Sequence, residues 1–150
     1  MSERLFTTRR AQIVTALVTK LKGINGLGSF ISNVNDNVVG RLLFWDEVNQ
    51  FPAIHLNAGS ETREYLGGGQ KVRFLSVTIR CYVKAEDAVL ALDHLLEDIE
   101  TVLETNSRLA YLDSQSQTQF TQQITVLSID TDEGVLEPLA VGEMLLEVRY

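Results

Sequence analysis

The stretch from Lys71 to Lys84 alternates so regularly that it decides much of what this chain can become. Leu75, Val77, Ile79, Cys81 and Val83 take every second position, and Ser76, Thr78, Arg80, Tyr82 and Lys84 fill the gaps. Side chains of a strand point to opposite faces in turn, so the pattern predicts a long strand with one apolar face. Val72 and Phe74 depart from it, being apolar on the otherwise polar side. Upstream lie Glu61 to Leu66 and then Gly67-Gly68-Gly69-Gln70. Glycine takes positive φ without steric cost, so a hairpin through this turn is expected.

An apolar sheet face needs cover, and two segments can supply it. Ile13, Val14, Leu17, Val18 and Leu21 recur at helical spacing behind Thr7 and Thr8, either of which can cap a helix. Within Ala85 to Thr105, the residues Val89, Leu92, Leu95, Leu96, Ile99, Val102 and Leu103 form a second stripe, closed by Asn106. The rest of that helix carries Glu86, Asp87, Asp93, Glu97, Asp98, Glu100 and Glu104 with no Lys or Arg, which reads as a solvated face or one apposed to a basic partner.

Gly23, Gly26 and Gly28 mark a turn-rich linker, and Asn35 to Asn37 a turn. Phe30 to Val34, Phe51 to Leu56, Gln122 to Asp130 and Gly142 to Tyr150 read as strands, and Ser114 to Gln119 as a polar loop. Val38 to Gln50 follows neither period. The order α, several β, α, β, β predicts an α+β fold: a single domain over 1–150, with a mainly antiparallel β-sheet and two helices packed on one face. The other sheet face is left uncovered within the monomer. A chain of 150 residues buries about 70% of its unfolded surface, so it needs neither metal nor disulfide. Cys81 is the only cysteine.

Charge and motifs exclude more than they assign. A formal net charge of −7 disfavours general binding of a phosphate backbone, which needs clustered cations. The N-terminal segment carries charge and no apolar run, so no signal peptide is expected, and no stretch reaches the ~18 apolar residues of a membrane span. Assembly in a reducing cytoplasm, with no membrane partner, is the expectation. Gly67-Gly68-Gly69-Gln70-Lys71 lacks the spacing, the hydroxyl residue and the following helix of a phosphate loop. Asp130, Asp132, Glu133 and Gly134 approach a calcium loop, but the glycine falls one place early and no acid closes the loop, so a turn is preferred. His55 is expected exposed or hydrogen-bonded on a strand, and His94 solvated on a helix. With Cys81 assigned to the core, no zinc set or nucleophile emerges, and no cofactor is expected.

What remains is the order of several short patterns. They are Arg9-Arg10-x-x-Ile13-Val14-x-x-Leu17 on the first helix, Phe51-Pro52-Ala53-Ile54 at a strand start, and Val77-Thr78-Ile79-Arg80-Cys81-Tyr82-Val83 running into the acidic helix. Leu139-Ala140-Val141-Gly142 then leads into the closing strand. In this order the chain resembles the tail terminator, or tail completion, family of long-tailed bacteriophages. The resemblance implies a non-enzymatic virion protein whose copies close into a homohexameric ring on the head-proximal end of the tail tube. Such a ring stops polymerisation of the major tail tube protein, offers a docking surface to the head connector, and lets DNA pass without specific binding.

For a ring, the outward face of the long strand with Arg80 and Tyr82, and the aromatics Phe44, Trp45 and Phe74, are the expected subunit interface. Aromatic residues are enriched at interface hot spots. Asp46, Glu47, Glu61 and Glu64 are the acids expected to line the channel. The rival readings are another ring or tube component, such as a head–tail connector or tube subunit, and a small-molecule-binding domain.

Overall fold

The first helix starts where a side chain caps it. In the computed structural model, which describes residues 8–150 apart from the Trp45 side chain, α1 (Arg9–Leu21) follows Thr8. The Thr8 hydroxyl accepts the Ala11 N–H at 3.1 Å, satisfying one of the orphan donors of the first turn. The alternative cap, Thr7, lies outside the described residues. Ile13, Val14, Leu17 and Leu21 are buried, as their spacing predicts.

The sheet then builds around the long hairpin. After β1 (Val38–Val39) come β2 (Ala53–Tyr65) and β3 (Lys71–Lys84), paired antiparallel through a turn at Gly67–Gly69. Gly68 and Gly69 take φ of 78° and 79°, which is why the turn is built of glycine. The two strands expected at Phe51 to Leu56 and Glu61 to Leu66 are one continuous strand. Its register against β3 shifts between Ala58 and Glu61, a bulge around Gly59 and Ser60 that bends β2 without ending it.

The second helix, α2 (Ala88–Thr105), starts three residues later than expected from Ala85, because Asp87 accepts the Leu90 N–H at 3.2 Å and fixes the cap there. A small hairpin follows, β4 (Ala110–Leu112) with β5 (Thr118–Phe120). Its turn is the polar loop expected at Ser114 to Gln119, with Thr118 and Gln119 drawn into β5. The Asp113 carboxylate organises its turn by accepting the N–H groups of Gln115 and Gln117 at 2.9 and 3.0 Å. The chain closes with β6 (Gln123–Thr131) and β7 (Leu139–Arg149).

The five-stranded sheet runs β1-β2-β3-β7-β6, antiparallel except for the short β1–β2 pair. β7 thus lies beside β3, with Ile79 between Leu56 and Met144, all fully buried. This row and its neighbours Leu75, Val77, Cys81, Leu146 and Val148 meet α1 and α2 on one face, as the alternation predicts. Burial pushes the Cys81 thiol up to about 12, consistent with a packing role. Gly142 lets α2 approach: a Cβ there would stand 3.1 Å from Leu92 Cδ1.

Three expectations are corrected by side chains that replace strand or solvent partners. Phe30 to Val34 is not a strand; only an isolated bridge joins Asn25 and Asn33. The N–H groups of Ile31 and Ser32 are satisfied by the Asp98 carboxylate instead. Asp98, expected on a solvated helix face, is therefore buried at 1% exposure. The uncovered sheet face is covered at one end, where the segment after β1 buries His55 and Tyr82 on the strands beneath. Among the described residues, no helix is long and apolar enough to cross a membrane.

Candidate assembly cleft

The open face of the sheet is polar over most of its area and apolar at one end. Residues Phe74, Ser76, Thr78, Arg80 and Tyr82 of β3 point this way, beside Val141, Glu143, Leu145, Glu147 and Arg149 of β7. Where β3 ends and β7 begins, two irregular segments rise over the sheet. One carries Phe44 and Phe51; the other is the turn between β6 and β7. Between them lies a cleft of about 650 Å³, with Tyr82, Val83 and Val141 on its floor and Phe44, Phe51 and Leu136 on its walls.

The floor is held by three arrangements. Arg80 and Glu143 face each other across the β3–β7 register and pair at 3.0 Å. The hydrogen bond that Arg80 donates to Glu143 raises the Arg80 pKa above its ordinary value, so the guanidinium stays charged. The Tyr82 hydroxyl reaches the Leu43 carbonyl at 3.4 Å, tying the covering segment to the sheet. The Tyr82 ring lies against His55, centroids 5.1 Å apart. His55, expected exposed or hydrogen-bonded, is 2% exposed and its Nδ1 has no hydrogen-bond partner. Burial, then the charges of Arg41 and Arg80, lower its pKa.

The rim is shaped by Asp132. Its carboxylate accepts the N–H groups of Leu136 and Val141 at 3.1 and 3.2 Å. Asp132 thus orders backbone, the turn role that its residue type suggests. Val135 and Leu136 project from it, 83% and 49% exposed.

Of the expected interface residues, the fold brings Phe44, Arg80 and Tyr82 together at this cleft. Phe44 is 76% exposed, whereas Tyr82 is buried within the monomer. Phe74 lies on the same sheet face but toward the hairpin, with the Arg149 guanidinium 5.7 Å from its ring. Trp45 begins a 3-10 turn, and its side chain lies outside the described residues. The expected channel acids are dispersed. Asp46 and Glu47 are exposed in that 3-10 turn, and Glu64 is exposed near the hairpin tip. The Glu61 carboxylate is turned inward on the helix-bearing side, where it accepts from the Tyr150 hydroxyl and pairs with Arg63 at 2.8 Å. Burial alone would raise the Glu61 pKa; the hydrogen bonds from Tyr150 and Arg63 and the nearby cationic charge bring it below its ordinary value.

Sequence reasoning missed Leu136 and Glu143. Two apolar residues in a turn rich in Asp, Glu and Gly, Val135 and Leu136, were a signal for an exposed contact. Glu143 is visible only once the β3–β7 register is known.

An apolar cleft on a polar sheet face, with no convergent set of proton-transfer or nucleophilic groups among the described residues that line it, is the kind of surface found in the class of proteins that assemble with other chains. Comparison with known proteins gives that class its family. Residues 2–150 match the model of the bacteriophage tail tube terminator protein family. The tail tube terminator protein p142 of Escherichia phage T5 is 32% identical over 149 residues, covering 94% of this chain and 92% of that protein. The chain belongs to the bacteriophage tail tube terminator family, whose place is the virion tail. A chain from the virion of a native gene transfer agent particle shares the fold with a TM-score of 0.57 at 9% identity, over 95% of this chain and 98% of that one.

Proposed function

We propose that six copies of this chain close into a ring on the head-proximal end of the tail tube. There the ring ends polymerisation of the major tail tube protein and presents a docking surface to the head connector. The observation that carries this reading is the cleft, an exposed apolar site at one end of a polar sheet face in a member of the terminator family. Phe44, Trp45, Phe74, Arg80 and Tyr82 form or support the subunit contact, Tyr82 by holding the covering segment from beneath. A ring needs a contact that joins unlike surfaces and closes by rotation. A site confined to one end of the sheet meets that requirement.

The bore of the ring passes DNA without binding it. Asp46, Glu47 and Glu64 face it, and Glu61 adds its charge from behind the surface. The role is structural, with no reaction catalysed. Electron microscopy of purified tails carrying this protein tests the reading. A sixfold ring at one tube end is expected. Another symmetry would rule out the hexamer, and open filaments of this chain would make it a tube subunit.

A further inference from the structure

The hairpin has a second exposed end, at its turn. Tyr65 and Leu66 are 71% and 45% exposed there, far from the cleft that lies at the other end of β3. From Lys71 to Tyr82 the strand spans roughly 36 Å at ~3.3 Å per residue, so one molecule cannot bring its own tip to its own cleft. The two ends differ in charge. The tip carries Lys71 and Arg73 against Glu64, while Arg63 is already paired with Glu61. The cleft carries Asp130, Asp132 and Glu143 against Arg80 alone. The tip is also narrow. A Cβ on Gly67 would meet nothing within 4 Å, and Gly67 does not take positive φ, so the monomer itself does not require glycine at that position.

We infer that the Tyr65–Leu66 tip of one copy seats in the Phe44–Leu136 cleft of the next. The inference rests on the ring reading and deepens it by naming the two surfaces. Tyr65 and Leu66 supply the apolar anchor. Lys71 comes to lie over the acids of the rim, where opposite charges set partner choice and register. Because tip and cleft sit at opposite ends of one strand, the contact is head-to-tail. A repeat of such a contact either closes into a ring or continues as a filament.

The test places a photo-crosslinking phenylalanine derivative at Tyr65 and irradiates the full chain assembled with purified tail tubes. Mass spectrometry then identifies what is captured, and electron microscopy of the same sample scores rings. Capture of residues 130–143 of another copy is expected. Capture of the tail tube protein, of another part of this chain, or of nothing while rings form would overturn the docking and leave the ring standing. Absence of rings would remove both. A charge exchange gives a second readout. Lys71→Glu or Asp130→Lys alone is expected to weaken assembly about tenfold or more, and the pair to restore it. Singles without effect, or a pair no better than the singles, would also overturn the docking.

Discussion

The Asp98 carboxylate on α2 accepts the backbone N–H of Ser32 at 2.6 Å, across 66 residues of sequence. A second bond, from the Ile31 N–H at 3.0 Å, uses its other oxygen. A buried carboxylate holding two backbone donors replaces what a neighbouring strand would have given this segment. Asp98→Ala strands both donors and is expected to cost about 3 kcal/mol. Asp98→Asn keeps one acceptor oxygen and should cost less. Urea denaturation of the two variants checks this, and midpoints equal to the parent's would remove the anchoring role.

Asp98 also shows how the sequence can be read too coarsely. It looks like one more acid on an acidic helix. Its spacing, three residues after Leu95 and four before Val102, nevertheless puts it beside the buried stripe. The strand Lys71 to Lys84 was legible because from Leu75 to Val83 its period of two is uninterrupted and every apolar position is buried. The bulge at Gly59 was not, since a gap in alternation resembles a strand end. The cleft was half legible. Arg80 and Tyr82 follow from the alternation of β3, and Phe44 from its place in an apolar run. Their meeting with Leu136 depends on β7 lying next to β3, a long-range pairing that no local pattern encodes.

His55 gives the fold a predicted sensitivity to acid. Its folded-state pKa lies below the ordinary 6.5, first through burial and then through Arg41 and Arg80. Above about pH 6.5, folded and unfolded chains both hold the ring neutral, and its contribution is complete. As pH falls below that value, the unfolded chain takes up a proton that the folded chain resists. Stability therefore declines until the lower, folded-state pKa is passed. His55→Phe removes the titration, so its loss of stability between about pH 7 and about pH 5 should be shallower than the parent's. Equal slopes in urea midpoints across that range would show that His55 is not the sensor.

Phe44 and Tyr82 line the same cleft but should fail differently. Phe44 is 76% exposed, so Phe44→Ala should leave monomer stability within about 0.5 kcal/mol. Its loss is expected to weaken assembly on tail tubes by about 2 kcal/mol. Tyr82 is 4% exposed, and Tyr82→Ala should unfold the monomer by about 3 kcal/mol through the cavity it leaves beside His55. Thermal melting separates the two effects from ring counts in micrographs. A Phe44→Ala monomer that melts early would make Phe44 part of the core.

The last prediction concerns DNA. Seven acids lie between Ala85 and Thr105 with no Lys or Arg, which equals the whole-chain net charge of −7. The remainder of the chain is therefore balanced, and α2 with Glu86 and Asp87 just before it sets the sign of the field. α2 packs on the helix-bearing face, so its charge acts from behind the sheet. Of the hairpin's cations, Arg63 is already paired with Glu61, and Lys71 is the one proposed to seat against a neighbour's acids. In the assembled ring both are neutralised and withdrawn from passing phosphates. The assembled protein should accordingly not retain duplex DNA at physiological salt, since retention requires cations free to displace counterions. Gel shifts across a salt series decide it. Tight retention that weakens steeply as salt rises would overturn the passive conduit and make DNA a bound partner.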